Sequence, residues 1–329
     1  MKRAILVLLG LLTAVYGFSQ SAATVNIIRT DPVLVSDFRE AVVRMEQASR
    51  TRLAPEQRVQ ILEGLINQLV LSQAADRDRI VTRATEDNLI RQYIRNLFEM
   101  QNRRQPSEDE YRVFVQGYNL DSAKNREQML REIKASEFLN RNLRMPTEED
   151  VLDMYNRLKN ELKRAQTFEI SIIIFPYGND AETRQKSRSS ADSVVRDINN
   201  VSSRFDDVYK RSTVTDMGYY PGKGFIDRNQ QPRNASEQAL MDVILRLNKG
   251  QVSRLIEGPD GFYLVKVDEI HAEKELLTLE DIRQLGQQGT VREHIVQYIV
   301  NLRQQTLLMD ERRKANIIYF QDNINNMQW

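Results

Sequence analysis

The stretch DGFYLVKV, residues Asp260–Val267, has the pattern of a turn that runs into a half-buried strand. Asp and Gly favour the turn, and the aromatic and β-branched residues that follow favour the strand. An earlier continuous apolar run, FEISIIIF at residues 168–175, predicts a second strand, which ends at Pro176 and Gly178. Helical patterns lie between the two strands. Together these elements predict a compact α+β domain over residues 167–272.

The segments on either side of this domain have helical patterns and many charges. In PEQRVQILEGLINQLVLSQAA, which begins at Pro55, apolar residues from Val59 to Val70 recur at spacings of three and four. They form a stripe wider than a surface helix needs. Near the C-terminus a further helix precedes NIIYF, residues 316–320, which predicts a short strand. We expect that strand to pair with VNII, residues 25–28.

This pairing would join residues 21–166 and 273–329 in one mostly helical domain, into which the α+β domain is inserted. The predicted fold class is therefore α+β multidomain. The N-terminus has a basic start, MKR, and residues 4–18 carry no charge. The pattern predicts a cleavable secretory signal peptide over residues 1–20 and a periplasmic protein without stable membrane insertion. A membrane anchor is the alternative.

Composition narrows the possible functions. Lys and Arg number 47 against 46 Asp and Glu, so the sequence lacks the net basic charge that nucleic-acid binding requires. Cysteine is absent, which excludes thiol chemistry, zinc–thiolate sites and disulfides. The two histidines are His271 and His294. No phosphate loop, metal-ligand spacing or nucleophile triad is present in the sequence, and we expect no cofactor and no metal.

Several ordered pieces resemble the parvulin-type peptidyl-prolyl isomerases. They are ISIII at 170–174, TDMGYY at 215–220, ALMDVILRLNKGQVS at 239–253 and GFYLVKV at 261–267. The helix ILEGLINQLVLSQAADRDRI, at 61–80, is similar to the leucine-rich helix of SurA-like and PrsA-like exported foldases. In that family a helical chaperone module accompanies a parvulin domain. Here a signal peptide, a helical module, a parvulin-like domain and a terminal helix occur in the same order.

The resemblance implies an isomerase pocket that lacks the two histidines of the family. Parvulins place two histidines side by side; the first position falls on Ser171 and the second on Tyr263. Met217 lies at a pocket leucine and Leu240 at a pocket phenylalanine, so an apolar cup is retained, and we assign no catalytic residue. The plainer interpretation of Tyr263 is an aromatic packed in a core, and that of Ser171 is a hydrogen-bonded strand hydroxyl. A hydrogen bond between Ser171 and Tyr263 would be compatible with weak isomerase activity.

The glycine-rich segment DMGYYPGKGF, at 216–225, carries three aromatic residues, Tyr219, Tyr220 and Phe225. They are candidates for contact with a polypeptide client, and packing within the loop is the alternative.

Three functions are compatible with the sequence. The leading hypothesis is an ATP-independent chaperone that holds unfolded exported polypeptides, with outer-membrane proteins among the candidate clients. In it the helical module offers apolar faces and the parvulin-like domain serves as a scaffold or peptide-binding module. The second is an active prolyl isomerase with an unusual pocket. The third is an envelope protein that uses its helices for one fixed partner.

Overall fold

The computed structural model describes residues 21–177, 180–199, 201–213, 218–258 and 260–327. The predicted signal peptide therefore lies outside the described residues. Internal contacts divide the chain into two compact units. We call the residues up to Met145, together with those from Val300 onward, the terminal unit, and Pro146–Ile299 the middle unit.

Helices alternate with short antiparallel strands, which confirms the predicted α+β multidomain class. The strands are β1 (Ser21–Asn26), β2 (Thr30–Leu34), β3 (Thr167–Pro176), β4 (Tyr220–Asp227), β5 (Ile256–Glu257), β6 (Gly261–His271) and β7 (Asn316–Tyr319). The helices are α1 (Val35–Ser49), α2 (Pro55–Arg77), α3 (Arg83–Asn102), α4 (Glu108–Gly117), α5 (Ala123–Asn142), α6 (Glu148–Leu158), α7 (Ala181–Ile198), α8 (Ser202–Ser212), α9 (Ala235–Ile244), α10 (Val291–Lys314) and α11 (Gln321–Asn325).

The two ends of the described chain meet in one sheet of the terminal unit. Its strand order is β2–β1–β7. Val25 lies opposite Ile317, and Asn26 lies opposite Asn316, in an antiparallel pair. The predicted pairing between the N-terminal and C-terminal strands is thus confirmed.

Helix α2 is the centre of the terminal unit. Its apolar side, including Leu62, Ile66 and Leu69, is buried against β1 and α1 in one cluster, while Leu71 and Ala74 pack with Phe138 of α5 in another. Ile66 is fully buried, whereas Val59 at the start of the stripe is 55% exposed. The wide stripe therefore forms the core of this unit. The expectation that it offers a free surface to clients is wrong, because packing on two sides of the helix uses the stripe almost completely.

The middle unit is built on a four-stranded antiparallel sheet of order β4–β3–β6–β5. One face packs against α7 and α8, through Ile173, Phe175 and Leu264 among others. The opposite face packs against α9 through a second cluster that includes Ile170, Val265 and Ile244. Each strand of the central pair therefore divides its side chains between two apolar clusters, which explains why FEISIIIF is a nearly continuous apolar run.

The edge strand β4 has two features that hinder pairing with another chain. Pro221 has no backbone N–H to donate, and the carbonyl oxygen of Gly222 accepts a hydrogen bond from the Tyr209 hydroxyl at 3.2 Å. A proline and an occupied carbonyl both reduce the tendency of an edge strand to add a further strand.

Residues on both sides of the α+β core belong to the middle unit. Val151 of α6, Leu162, Leu277, and the first turns of α10 at Val291 and Ile295 form one buried cluster. This packing accounts for the assignment of residues 146–166 and 273–299 to the middle unit. The domain bounds drawn from the sequence, at 166/167 and 272/273, stay predictions.

Candidate functional site

Strand register decides which side chains of the middle sheet share a face. In the antiparallel β3–β6 pair, Ile174 lies opposite Tyr263 and Ile172 lies opposite Val265. Ser171, the residue next to Ile172 along β3, lies opposite Lys266. Because successive side chains of a strand point to opposite faces, Tyr263 shares the α9 face with Ile172 and Ile174, and Ser171 lies on the α7–α8 face.

Two contacts fix the Tyr263 ring: Gly258 lies against the ring, and Asp260 binds its hydroxyl. Its side chain is 7% exposed, and its hydroxyl donates a hydrogen bond to the Asp260 carboxylate. Gly258 lies directly against the ring, since a Cβ at this position would overlap Tyr263 Cε2. The absence of a side chain at Gly258 therefore lets the ring take this position.

The rest of the α9 face is an apolar floor that is incompletely covered. Ile172, Ile174, Ile226 and Leu240 are half-buried and pack against the cluster that contains Tyr263. Gly222 of β4 lies opposite Ile172, and a Cβ there would be 2.9 Å from Ile172 Cγ2. A glycine at this cross-strand position leaves the isoleucine side chain without a neighbouring side chain on that edge. The face thus offers aliphatic surface on which an apolar group can be desolvated.

Ser171 belongs to a different, polar arrangement. Its hydroxyl donates to Asp268 at 2.6 Å, and the buried Lys266 ammonium pairs with Asp268 at 3.0 Å and with Asp206. Burial alone would lower the pKa of Lys266, but hydrogen bonds from its amine to Asp206 and Asp268 and the charges of these carboxylates outweigh it, so the pKa is raised. The Ser–Tyr hydrogen bond that the sequence left open does not form, because the two side chains lie on opposite faces.

The remaining predicted site residues do not all lie on the same face of the sheet as Tyr263. Leu240 of α9 shares the apolar face with Tyr263. Met217 lies outside the described residues. Tyr219 is buried, with its ring centroid 4.9 Å from that of Phe175, in the cluster on the opposite face. Tyr220 is 45% exposed, and Phe225 lies half-buried beside His271. Of these three aromatics, Tyr220 has the accessible ring that a client contact requires.

Neither histidine is placed to act on the apolar face. His271 Nε2 lies 3.3 Å from Glu169 Oε2, eight positions along β6 from Tyr263. His294 of α10 has its Nδ1 2.8 Å from the carbonyl oxygen of Thr290, which precedes the helix. Around Tyr263 the described side chains therefore supply apolar contact and one tyrosine–carboxylate hydrogen bond. That set is suited to binding and contains no imidazole for proton transfer.

Sequence reasoning overlooked Ile172 and Ile174 as parts of the site. Both lie in the run from which the strand was predicted, and the alternating glycines of YPGKGF, at 220–225, were a signal that the neighbouring strand would leave them uncovered. Within the described ranges, no group of three or more His, Asp or Glu side chains could hold a metal ion. None of the described helices combines the length and apolar character needed to cross a membrane.

Comparison with known proteins identifies the class of the middle unit. Residues 146–284 match the family described as the PPIC-type PPIASE domain. The chain therefore contains a parvulin-type peptidyl-prolyl isomerase domain, and the resemblance found in its sequence is confirmed. No curated protein matches the chain.

The solved structures with some similarity include SurA-like chaperones and peptidylprolyl isomerases. One, from a study of the SurA-like chaperones PEB4 and Cj1289 of Campylobacter jejuni, has 13% identity and a TM-score of 0.37, covering 91% of this chain and 98% of the other. The peptidylprolyl isomerase PrsA of Bacillus anthracis has 15% identity and a TM-score of 0.26, with 77% and 96% covered. PrsA of Bacillus subtilis has 14% identity and a TM-score of 0.24, with 86% and 89% covered. With TM-scores this low, these similarities support no conclusion about function.

Proposed function

We propose that the protein is an ATP-independent chaperone that binds unfolded polypeptides, and that its PPIC-type domain binds clients without efficient isomerase activity. The observation that supports this most directly is the incompletely covered apolar face of the middle sheet. There Ile172, Ile174, Leu240 and Tyr263 lie together. Of the two positions at which the resemblance expects histidines, Tyr263 lies on this face and Ser171 on the other.

Binding on such a face depends on apolar area and carries little demand on sequence. Burial of aliphatic surface stabilises a complex by roughly 25 cal/mol per Å², whatever the order of residues in the client. Broad and weak binding through non-directional contacts suits a protein whose clients differ in sequence.

Catalysis of prolyl isomerisation requires more than this face supplies. Rotation about the peptide bond meets a barrier of roughly 18–20 kcal/mol, so an enzyme must stabilise the twisted amide preferentially. The Tyr263 hydroxyl is engaged with Asp260, and the Ser171 hydroxyl is engaged on the other face of the sheet. We therefore expect a rate near background.

The compartment and the clients are part of the same proposal. The basic start and the uncharged segment at residues 4–18 support export by a cleavable signal peptide, and with it a periplasmic location. Unfolded outer-membrane proteins are then natural clients, since they cross that compartment before they fold.

The second candidate function, an active isomerase, is favoured by the PPIC-type match itself. A peptide assay that follows cis–trans exchange at one proline, with a parvulin that has both histidines as the positive control, separates the two functions. We expect no acceleration above the uncatalysed rate. A measurable rate that Tyr263→Phe abolishes would establish the isomerase and exclude the non-catalytic assignment.

A further inference from the structure

A cleft in the terminal unit lies between helices α1 and α5, both of which pack on α2. Its volume is about 540 Å³, within the usual range for binding clefts. The lining residues come from β2, α1, α2 and α5: Pro32, Leu34, Ser36, Asp37, Glu40, Arg44, Leu65, Gln68, Ala123, Lys124, Glu127, Gln128 and Arg131. None of them belongs to the PPIC-type domain.

The apolar part of the lining includes an edge strand. Pro32 and Leu34 are alternate residues of β2, which is the outer strand of its sheet, and both are half-buried. Leu65 of α2 and Ala123 at the start of α5 complete the apolar surface. An outer strand has one row of backbone groups that no other strand of its sheet pairs. Pro32 has no N–H to donate, but the carbonyl oxygens of this row can accept from a ligand, so this side of the cleft combines apolar contact with hydrogen-bond acceptors.

The polar part of the lining is balanced in charge. It includes three carboxylates and three cations, namely Asp37, Glu40, Glu127, Arg44, Lys124 and Arg131. Because negatively and positively charged side chains are equal in number, the lining favours neither acidic nor basic ligands overall. The half-buried amide of Gln68 also lines the cleft and has no hydrogen-bond partner among the described residues. An amide can donate to a peptide carbonyl and accept from a peptide N–H, whatever the side chains of the ligand.

The dimensions fit an extended chain. The lining residues of α1 run from Ser36 to Arg44, and those of α5 from Ala123 to Arg131, about 12 Å along each helix axis. An extended polypeptide covers that length in about four residues.

Lys124 bridges the cleft from α5 to α1. Its ammonium lies 3.2 Å from Asp37 Oδ1 and 3.0 Å from Glu40 Oε2. The lysine side chain is 61% exposed, and an ion pair that is open to water contributes little to stability. A ligand can therefore displace this contact at little cost.

We propose that this cleft holds an extended segment of about four residues of an unfolded polypeptide, and that Lys124 is a strap that opens to admit it. The inference rests on the proposed chaperone function and assigns it a site in the terminal unit. Apolar side chains of the segment contact Leu34 and Leu65, while its backbone is within reach of β2 and Gln68.

Binding is measured with a fluorescein-labelled protein kept unfolded by reduction and carboxymethylation, using fluorescence anisotropy on the full mature chain. Ala123→Trp fills the cleft and should weaken binding about tenfold, because it occludes the apolar lining. Ala48→Trp, at an exposed position of α1 outside the cleft, is the matched control and should bind like the wild type. Equal affinity of the two variants would overturn the proposal while leaving the chaperone function standing; a wild type that does not bind the probe would instead refute the function itself.

The strap is tested with Lys124→Gln. Added salt should tighten binding of the probe to the wild type, because salt weakens the Lys124 ion pairs. Lys124→Gln should bind the probe about two- to fivefold tighter than the wild type at low salt, and its affinity should not increase when salt is added. An unchanged salt response in Lys124→Gln would contradict the strap.

A photo-crosslinking residue at position 68 keeps the proposal falsifiable if Ala123→Trp fails to fold. We expect crosslinks to the probe from position 68 and none from the exposed position 60 of the same helix. Crosslinks from 68 to a second copy of this chain that persist when the probe is present would show that the cleft is a self-association surface, and the proposal would be wrong.

Discussion

At the scale of single residues, Gln73 is a polar side chain in an apolar stripe, and the structure gives the reason. It is fully buried, and its Oε1 accepts from the backbone N–H groups of Ile27 and Ile28 at 2.8 and 3.3 Å. Its Nε2 donates to the Val25 carbonyl at 3.1 Å and to Asp31 at 3.0 Å. The amide therefore fixes the turn between β1 and β2 onto α2. From the sequence alone, only its position on the stripe was visible.

Gln73→Leu removes these four hydrogen bonds without a large change in volume. We expect a loss of about 2 kcal/mol in the free energy of unfolding, because backbone groups are left unsatisfied. Urea denaturation measures it, with Gln60→Leu at an exposed position of the same helix as the control. Equal midpoints for the two variants would contradict the assigned role.

Glu311 of α10 is a buried carboxylate. Burial would raise its pKa, but hydrogen bonds from Arg77 and Lys314 at 2.8 and 2.6 Å outweigh that effect, so its pKa is lowered. The pKa in the folded state is therefore below the ordinary value of 4.5, and the stabilisation is present above that pH.

This contribution should be lost as the pH falls from 4.5 through the lower pKa of Glu311 in the folded protein. Glu311→Gln should cost about 1–3 kcal/mol at pH 7, and the loss of stability on acidification should become smaller in the variant. Unfolding is followed by urea denaturation in a series from pH 7 down to about pH 2, which passes through the lowered pKa, with Glu137→Gln as the control. A wild type and a Glu311→Gln variant that lose the same stability on acidification would refute the role of this carboxylate.

Gly258 determines the position of the Tyr263 ring. In Gly258→Ala the new methyl group would overlap the ring, so the ring must move, and we expect a cost of about 1–3 kcal/mol. Gly224→Ala is a matched control, since its Cβ would lie 3.7 Å from Ile170 Cγ1, an ordinary contact. Thermal unfolding should separate the two variants by several degrees, and equal melting temperatures would show that the ring is not confined as described.

At the scale of elements, the apolar stripe of helix α2 has two interpretations, a packed core or a client-binding surface. A core helix loses stability when its stripe is truncated, whereas a client surface loses binding and keeps its fold. Because Ile66 is fully buried, Ile66→Ala should cost about 2–5 kcal/mol, and Val59→Ala at the exposed start of the stripe should cost less than 0.5 kcal/mol. Folded Ile66→Ala protein with normal stability and weakened client binding would restore the surface interpretation.

The strands show what a sequence pattern can and cannot predict. The apolar run at 168–175 and the stretch DGFYLVKV were sufficient to predict β3 and β6. They were not sufficient to assign Ser171 and Tyr263 to one pocket, because that depends on register. A shift of one residue moves a side chain to the other face, and the β3–β6 pair contains an irregularity between Glu169 and Ile170. Helical periodicity likewise revealed the stripe of α2 but gave no information on how many of its neighbours would cover it.

At the scale of the whole molecule, strands β1 and β7 pair, and the PPIC-type domain lies between them in sequence. The β1–β7 pair could be predicted because both segments are short apolar runs bounded by turn or helix signals. The extent of the middle unit could not, since α6 and the first turns of α10 join it through long-range packing around Leu277 that leaves no local signal.

The central claim, that the protein holds unfolded polypeptides, is tested most directly by light scattering from an aggregating client. A chemically unfolded protein is diluted into buffer without ATP, with or without an equimolar amount of the mature chain. We predict that the chain slows the rise in scattering and lowers its final value, and that an unrelated monomeric protein of similar size does neither. Scattering that rises at the same rate with and without the chain would contradict the claim.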